Sequence, residues 1–290
     1  MALKSQVLVA QYKYSEDLYY DNRITYEIGT SFGVMNCLTD LGGNEGIGKN
    51  FLKDFNKSNT EACGTLYFAA AYNYALILRG EATWGKVNAN DAILKEVQTT
   101  TPGRYSRNLS FRSNIFEMAF IAEIHPRYFK RFKNSEKIPR FSPYLLGGIG
   151  FFAFNPQAKL DDIWVDLEPL STEGQGFAEY PERKRYKLKQ VNFPLGAGLK
   201  YKISPAFNFA AECVYRILNT DYLDDVSTNY IDQNVFSNYF TGSQLATVIS
   251  LSDRERELNP GYLPQVNSKR GNPKKNDAYF SLNFKIGYNF

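Results

Sequence analysis

The chain has 290 residues, with 34 basic side chains against 30 acidic ones, a net charge of +4, and 16% aromatic residues. So small a basic excess leaves no electrostatic footprint for nucleic acid, and no stretch approaches the ~20 apolar residues of a transmembrane helix. A mean hydropathy of −0.40 fits a water-soluble β domain, but it also fits an outer-membrane barrel, whose strands alternate and never look apolar in a window average.

Met1–Ala10 (MALKSQVLVA) resembles the tail of a secretory signal whose longer apolar core is missing, with Ala10–Gln11 the candidate cleavage bond. An ordinary disordered N-terminus is the alternative. Residues 11–22 read as a periplasmic lead, and residues 23–290 as one barrel domain.

From Arg23 to Val34 the residues alternate, with Ile24, Tyr26, Ile28, Phe32 and Val34 on one side and Thr25, Glu27, Gly29, Ser31 and Gly33 on the other. A period of two is that of a β-strand with one apolar face. A polar loop follows over Asn36–Glu61, in which GKNFLKDF reads as a short helix. Gly64–Tyr72 and the run from Leu76 to Trp84, broken near Asn73, read as a hairpin with a very short turn. Val87–Asn108 is polar, and Asn114–Ile124 is the fourth strand. After the basic connection HPRYFKRFKNSEKIPR comes a glycine-containing strand, Tyr144–Phe154. The charged stretch Asn155–Gln190 reads as a loop, Phe193–Tyr201 and Phe207–Ile217 as strands joined at Ser204-Pro205, and Asn219–Lys275 as a long polar segment.

The last strand is the clearest. Phe280, Leu282, Phe284, Ile286, Tyr288 and Phe290 alternate with Tyr279, Ser281, Asn283, Lys285, Gly287 and Asn289. Eleven residues at ~3.3 Å rise and a tilt of ~40° match the height of an outer-membrane apolar band. Eight strands joined by alternating long and short connections predict an all-β fold: an antiparallel transmembrane β-barrel with four long extracellular loops. Both termini then lie at the short-turn, periplasmic end. Tyr288 and Phe290 are the expected insertion signal, by analogy with the aromatic-ended last strands of other barrels.

If the apolar faces meet lipid, the opposite faces line the lumen, and these carry Glu27, Arg79, Glu81, Glu117, Glu123, Lys200, Glu212 and Arg216. Eight strands leave room only for side chains, so these charges are expected to pair with one another; a narrow gated path is the alternative. One histidine, His125, beside Pro126 in a turn, gives no Ser-His-Asp arrangement and no His-rich metal set. The acidic groups Asp161, Asp162, Asp166 and Asp221, Asp224, Asp225 lack EF-hand spacing and read as solvated loop charge, with a calcium site as the alternative. Neither catalytic residues nor a cofactor site is expected. Cys37 and Cys63, at the upper ends of the first two strands, are either free or bridged, and Cys213 falls on the lipid-facing set. The basic runs Arg183–Lys189 and Lys269–Lys275 read as solvated charge or as contacts to anionic partners such as lipopolysaccharide.

Three groups of stretches go beyond generic barrel signals: YEIGTSFG with LTDLGG and GIGKNFLKDFN; PYLLGGIGFFAFNP with WVDLEPLSTEGQG; and TDYLDDVSTNY with RGNPKKNDAYF. Together they resemble a family of outer-membrane barrels from Bacteroidota, of largely unknown function, related to PorG, a component of the type IX secretion machinery. The resemblance implies a non-enzymatic barrel in contact with outer-membrane lipid and with periplasmic or outer-membrane components of a secretion machinery. The alternatives are an independent OmpA-like surface barrel whose loops bind ligand or matrix, and a small gated pore.

Overall fold

The computed structural model describes residues 23–43, 57–129 and 139–290. The signal-like segment 1–10, the lead 11–22, the GKNFLKDF helix and residues 130–138 of the basic connection lie outside them.

Ten strands form one sheet: β1 (Ile24–Leu38), β2 (Glu61–Tyr72), β3 (Leu76–Asn90), β4 (Ser110–Ile124), β5 (Phe141–Ala153), β6 (Pro156–Leu160), β7 (Ile163–Asp166), β8 (Lys189–Lys202), β9 (Phe207–Leu218) and β10 (Ala278–Asn289). Eight of them close into an antiparallel barrel, in the order β1, β2, β3, β4, β5, β8, β9, β10 and back to β1. Closure pairs every strand on both sides, so the barrel presents no free edge. The hairpin β6–β7 extends the sheet from the outer end of β4. The β2–β3 turn is as short as expected. Asn73 and Tyr74 have φ of 49° and 56°, the paired left-handed conformation of a type I′ hairpin.

Around the barrel the outward positions form an apolar belt. Phe32 is 68% exposed, Leu78 70% and Phe120 66%, with Leu66, Leu145, Leu195, Phe284 and Ile286 beside them. In water so continuous an apolar surface would be a liability; in a bilayer it is the contact with lipid.

The strands run further than the alternation of apolar residues suggests. β3 continues from Trp84 to Asn90 and β4 begins at Ser110, not at Asn114, so the stretch read as a polar loop over Val87–Asn108 shrinks to residues 91–109. The reason is an inversion of polarity at constant phase. Above the membrane, Lys86, Asn88 and Arg112 face outward while Val87, Ala89 and Phe111 are buried, because there water lies outside and the protein core inside. Met35, Cys63, Ile115, Phe152, Leu218 and Tyr279 join that inner cluster.

The third and fourth extracellular connections are not solvated loops. The third contains β6–β7. The fourth contains helix α2 (Gly242–Ser252; helix α1, Pro102–Arg107, lies in the second connection). Ala158, Leu167, Leu170 and Phe177 pack against Ile231, Phe236, Val248 and Leu251 in a second apolar core. The two connections thus fold together into a cap.

Candidate functional site

All eight charged residues expected in the lumen point inward, and each takes part in an ion pair. In the middle layer Arg79 lies between three carboxylates, with Nε 2.9 Å from Glu81, Nη1 3.2 Å from Glu212, and Nη1 also bonded to Glu123. Lys285 Nζ is 3.4 Å from Glu212, to which the Tyr144 hydroxyl donates at 2.8 Å. Toward the outside, Arg216 Nε is 3.2 Å from Glu117 and its Nη1 donates to Ser281 Oγ at 2.6 Å; Asn192 and the Tyr279 hydroxyl also donate to Glu117. Toward the periplasm, Glu27 accepts from Lys200 Nζ at 2.5 Å, from Tyr67 at 2.7 Å and from Asn208 at 3.1 Å.

The sequence-based list of charged residues omitted Lys285 and the neutral donors Tyr67, Tyr144, Asn192, Asn208 and Tyr279. Strand phase could have found Lys285 and Tyr279, since both occupy the inward set of the last strand. The donors' reach across the barrel is a property of the closed ring. Tyr67 depends on glycine at its partners, because a Cβ at Gly29 would lie 2.5 Å from its ring and one at Gly287 2.6 Å from its hydroxyl.

Among the described residues the lumen is filled by these paired side chains. The void lined by Glu27, Arg79, Glu123, Lys200 and Lys285 measures about 10 Å³, room for at most about one water, and the apolar cluster lies above it. Purified protein in planar bilayers is therefore expected to give no large stable conductance steps; such steps would overturn the sealed-lumen description.

The fold assembles a contact that one histidine was not expected to provide. His125 Nδ1 is 3.1 Å from Ser142 Oγ, and its Nε2 is 3.2 Å from Glu123 Oε2. His125 caps the turn after β4, as expected, yet it is fully buried, as is Ser142, and its ring stacks on Tyr144 at 4.8 Å. Glu123 is shared with Arg79, and the adjoining void has no space for an acyl group. The trio works as a hydrogen-bond chain that ties β4 to β5.

Cys37, Cys63 and Cys213 are free. The register rules out the bridge considered between the first two. Cys63 lies opposite Gly33, four residues below Cys37, a separation of roughly 13 Å along the strand against the ~7 Å limit for Cα atoms of a disulfide. Cys213 faces outward.

The loop motifs converge. LTDLGG, LSTEGQG, TDYLDDVSTNY and RGNPKKNDAYF, far apart in sequence, meet in one buried polar hub beneath the cap. Glu173 accepts from Ser227 N at 3.0 Å, Thr228 N at 2.9 Å and Arg270 Nη1 at 2.9 Å. Arg270 also donates to Asp225 O at 2.7 Å and to Ser252 O at 3.2 Å. Asp224 accepts from Leu41 N and Val226 N, Asp277 from Leu223 N, and Asp40 from Asn272 N. Arg107 joins them from α1, bonding Asp91 at 2.7 Å, Asp40 O at 2.7 Å and Arg270 O at 2.6 Å. Gly271 is needed for the close approach, since a Cβ there would lie 2.6 Å from the Ser227 carbonyl carbon.

The two acidic groups separate accordingly. Asp161 and Asp162 form the β6–β7 turn with φ of 47° and 65°, Asp162 pairs with Lys159 at 2.6 Å, and Asp166 accepts from Asn155 and Gln157. Asp221, Asp224 and Asp225, expected in solvent, are buried instead. Of the basic runs, Arg183 and Arg270 turn inward to hold the hub together, whereas Lys184, Arg185, Lys187 and Lys189 stay exposed.

Burial among like charges pushes these carboxyls up, Asp225 to about 6, Asp224 to about 8 and Asp221 to about 9. With folded values above the ordinary 3.8, the folded cap binds more protons than the unfolded one across that window. Its stability is therefore greatest at acid pH and is lost as pH rises through the folded values. Limited proteolysis should cut residues 155–188 and 219–277 faster at pH 9 than at pH 5 in the absence of added metal; equal rates would contradict the sign.

A closed antiparallel barrel of eight strands, apolar outside and ion-paired within, defines an outer-membrane β-barrel protein. No family model matches the chain, and no curated protein matches it. Among solved structures it is similar to the neisserial surface protein NspA (9% identity, TM-score 0.40, covering 92% of this chain and 97% of that one). It is also similar to the attachment invasion locus protein Ail of Yersinia pestis (9%, 0.37, 92% and 97%) and to OprG of Pseudomonas aeruginosa (10%, 0.35, 92% and 95%).

Proposed function

We propose that the protein is a non-enzymatic accessory barrel of an outer-membrane assembly, of the type IX secretion or gliding kind that the motif resemblance implies. The observation behind this reading is the convergence of four of the motif stretches, LTDLGG, LSTEGQG, TDYLDDVSTNY and RGNPKKNDAYF, on one hub. Residues of these stretches hold a packed cap over a filled barrel, an arrangement suited to presenting a defined surface to partners. Partner components would meet the cap or the short periplasmic turns. Co-purification from native membranes is the test, together with deletion of the protein. Machinery components in the eluate and secreted cargo trapped in the periplasm are expected; normal secretion in the deletion strain overturns the reading.

A second reading is an independent surface barrel whose cap binds ligand or matrix. Exposed apolar side chains on the cap, Ile163, Leu263 and Val266, favour it. Unaltered secretion combined with loss of surface binding would select it.

The closing strand has a separate role in this reading as the insertion signal, with Tyr288 and Phe290 outward at the periplasmic rim. Removal of Tyr288–Phe290 is expected to abolish most assembled barrel in membrane fractions, whereas trimming the β6–β7 hairpin is expected to leave it. The reverse order would dismiss the signal.

A further inference from the structure

Above the lipid belt, one sector of the barrel wall gathers cations on its outer face. The segment leading into β8 alternates in the same sense as the upper ends of β3 and β4. Tyr186 and Leu188 pack inward against the apolar cluster, while Lys187 and Lys189 face out and are exposed. The ladders fix where these side chains stand. Lys189 lies opposite Ala153 on β5, which lies opposite Phe116 on β4. Phe154 N donates to Leu188 O at 2.9 Å, which brings Lys187 beside Asn155. Lys86 on β3 lies opposite Asn114 on β4, and Arg112 stands on the outer side of Asn114 along the same strand. Lys86, Arg112, Lys187 and Lys189 therefore share one outward sector across the adjacent strands β3, β4, β5 and β8, at ~4.8 Å per strand. Among the described residues none of the four forms an ion pair. The acids nearby are bonded elsewhere, Glu61 accepting from Asn88 at 2.5 Å and Asp166 from Asn155 at 2.9 Å and Gln157 at 2.7 Å.

Directly below the cations the wall is aromatic. Trp84 and Phe116 face out opposite each other with ring centroids 5.5 Å apart, and Phe151 and Phe193 face out on β5 and β8. Aromatic side chains collect at the membrane–water interface, so the cations stand at the level of the lipid headgroups, where a lysine stem lies along apolar surface and its ammonium reaches water. Arg112 is held in place, its Nε donating to Gln157 Oε1 at 3.0 Å and its guanidinium lying 3.7 Å from the Trp164 ring centroid. We propose that this sector binds the phosphate groups of an outer-leaflet glycolipid of the lipopolysaccharide class, with the acyl chains resting on the apolar belt below. Two features select that occupant. Arginine and lysine together suit phosphate, one as a planar fork and the other as a point charge, and the sector is continuous with the lipid-facing wall, for which a soluble anion has no use. The site requires the outer-membrane location and no partner assembly.

The chain has two tryptophans, and both border the sector, Trp84 beneath Lys86 and Trp164 against Arg112, so their emission reports occupancy. The test titrates the full-length protein, in a zwitterionic detergent, with bisphosphorylated lipid A, with the same lipid A after dephosphorylation, and with phosphatidylglycerol. A saturable emission change is expected with the first, none with the second and a weaker one with the third. Combining Lys86→Gln, Lys187→Gln and Lys189→Gln should weaken the apparent affinity roughly tenfold or more, whereas Lys95→Gln, on the second connection, should leave it unchanged. Heat-modifiable migration confirms that the variants are folded. No saturable change, an equal response to dephosphorylated lipid A or to phosphatidylglycerol, or an unchanged affinity in the triple variant overturns the proposal. If the triple variant fails to fold, the three lipids compared on the wild-type protein decide.

Discussion

Replacing Arg79 by methionine is expected to destabilise the barrel by roughly 3–5 kcal/mol, the cost of removing one partner from a buried ion pair. The guanidinium is the only described cation in contact with both Glu81 and Glu123, and it shares Glu212 with Lys285. Methionine fills similar volume, so the loss is electrostatic: Glu81 and Glu123 remain buried without a cation. Arg79→Lys keeps the charge but not the fork that reaches several carboxylates at once, and should fall between the two. Adding Glu123→Gln to Arg79→Met should recover part of the loss, because it removes one stranded charge. Urea unfolding in lipid vesicles, followed by the fluorescence of Trp84 or by heat-modifiable migration, reads all four proteins. An unchanged midpoint for Arg79→Met would mean that the lumen network contributes nothing to the barrel.

Arg270→Ala should act on the cap and spare the barrel. It strands Glu173 beneath the cap and removes the donors that hold Asp225 O and Ser252 O, so a loss of roughly 3–5 kcal/mol is again expected. That loss falls on the connections that meet in the hub, because the eight ladders do not pass through it. Trypsin should then cut the exposed connections, while the membrane-embedded strands keep their heat-modifiable band. Unfolding of cap and barrel at one midpoint would show a single cooperative unit and contradict the division.

The barrel was legible because its physics is local. In each strand a period of two sorts lipid-facing from lumen-facing residues, as Phe284 and Lys285 show in adjacent positions, and strand count and loop lengths follow from that phase. The charges of the lumen could be listed for the same reason. What failed did so where the environment reversed. Val87 and Ala89 read as part of a loop, since nothing in a short alternating segment says which side will be wet. Asp221, Asp224 and Asp225 read as solvated, since burial of a loop depends on what folds over it. His125 does lie in the turn between β4 and β5, but its burial and its bonds to Glu123 and to Ser142 on the neighbouring strand depend on packing that the turn signal does not record.

The sequence by itself determined the strands, their faces and the alternation of long and short connections, because hydrophobic periodicity is written into neighbouring residues. Only the tertiary structure decided which charges pair across the lumen, that Cys37 and Cys63 stand too far apart to bridge, and that four separate motifs form one hub. Those facts depend on register and on the packing of two connections against each other. They are set by contacts between residues distant in the chain, which no local pattern records.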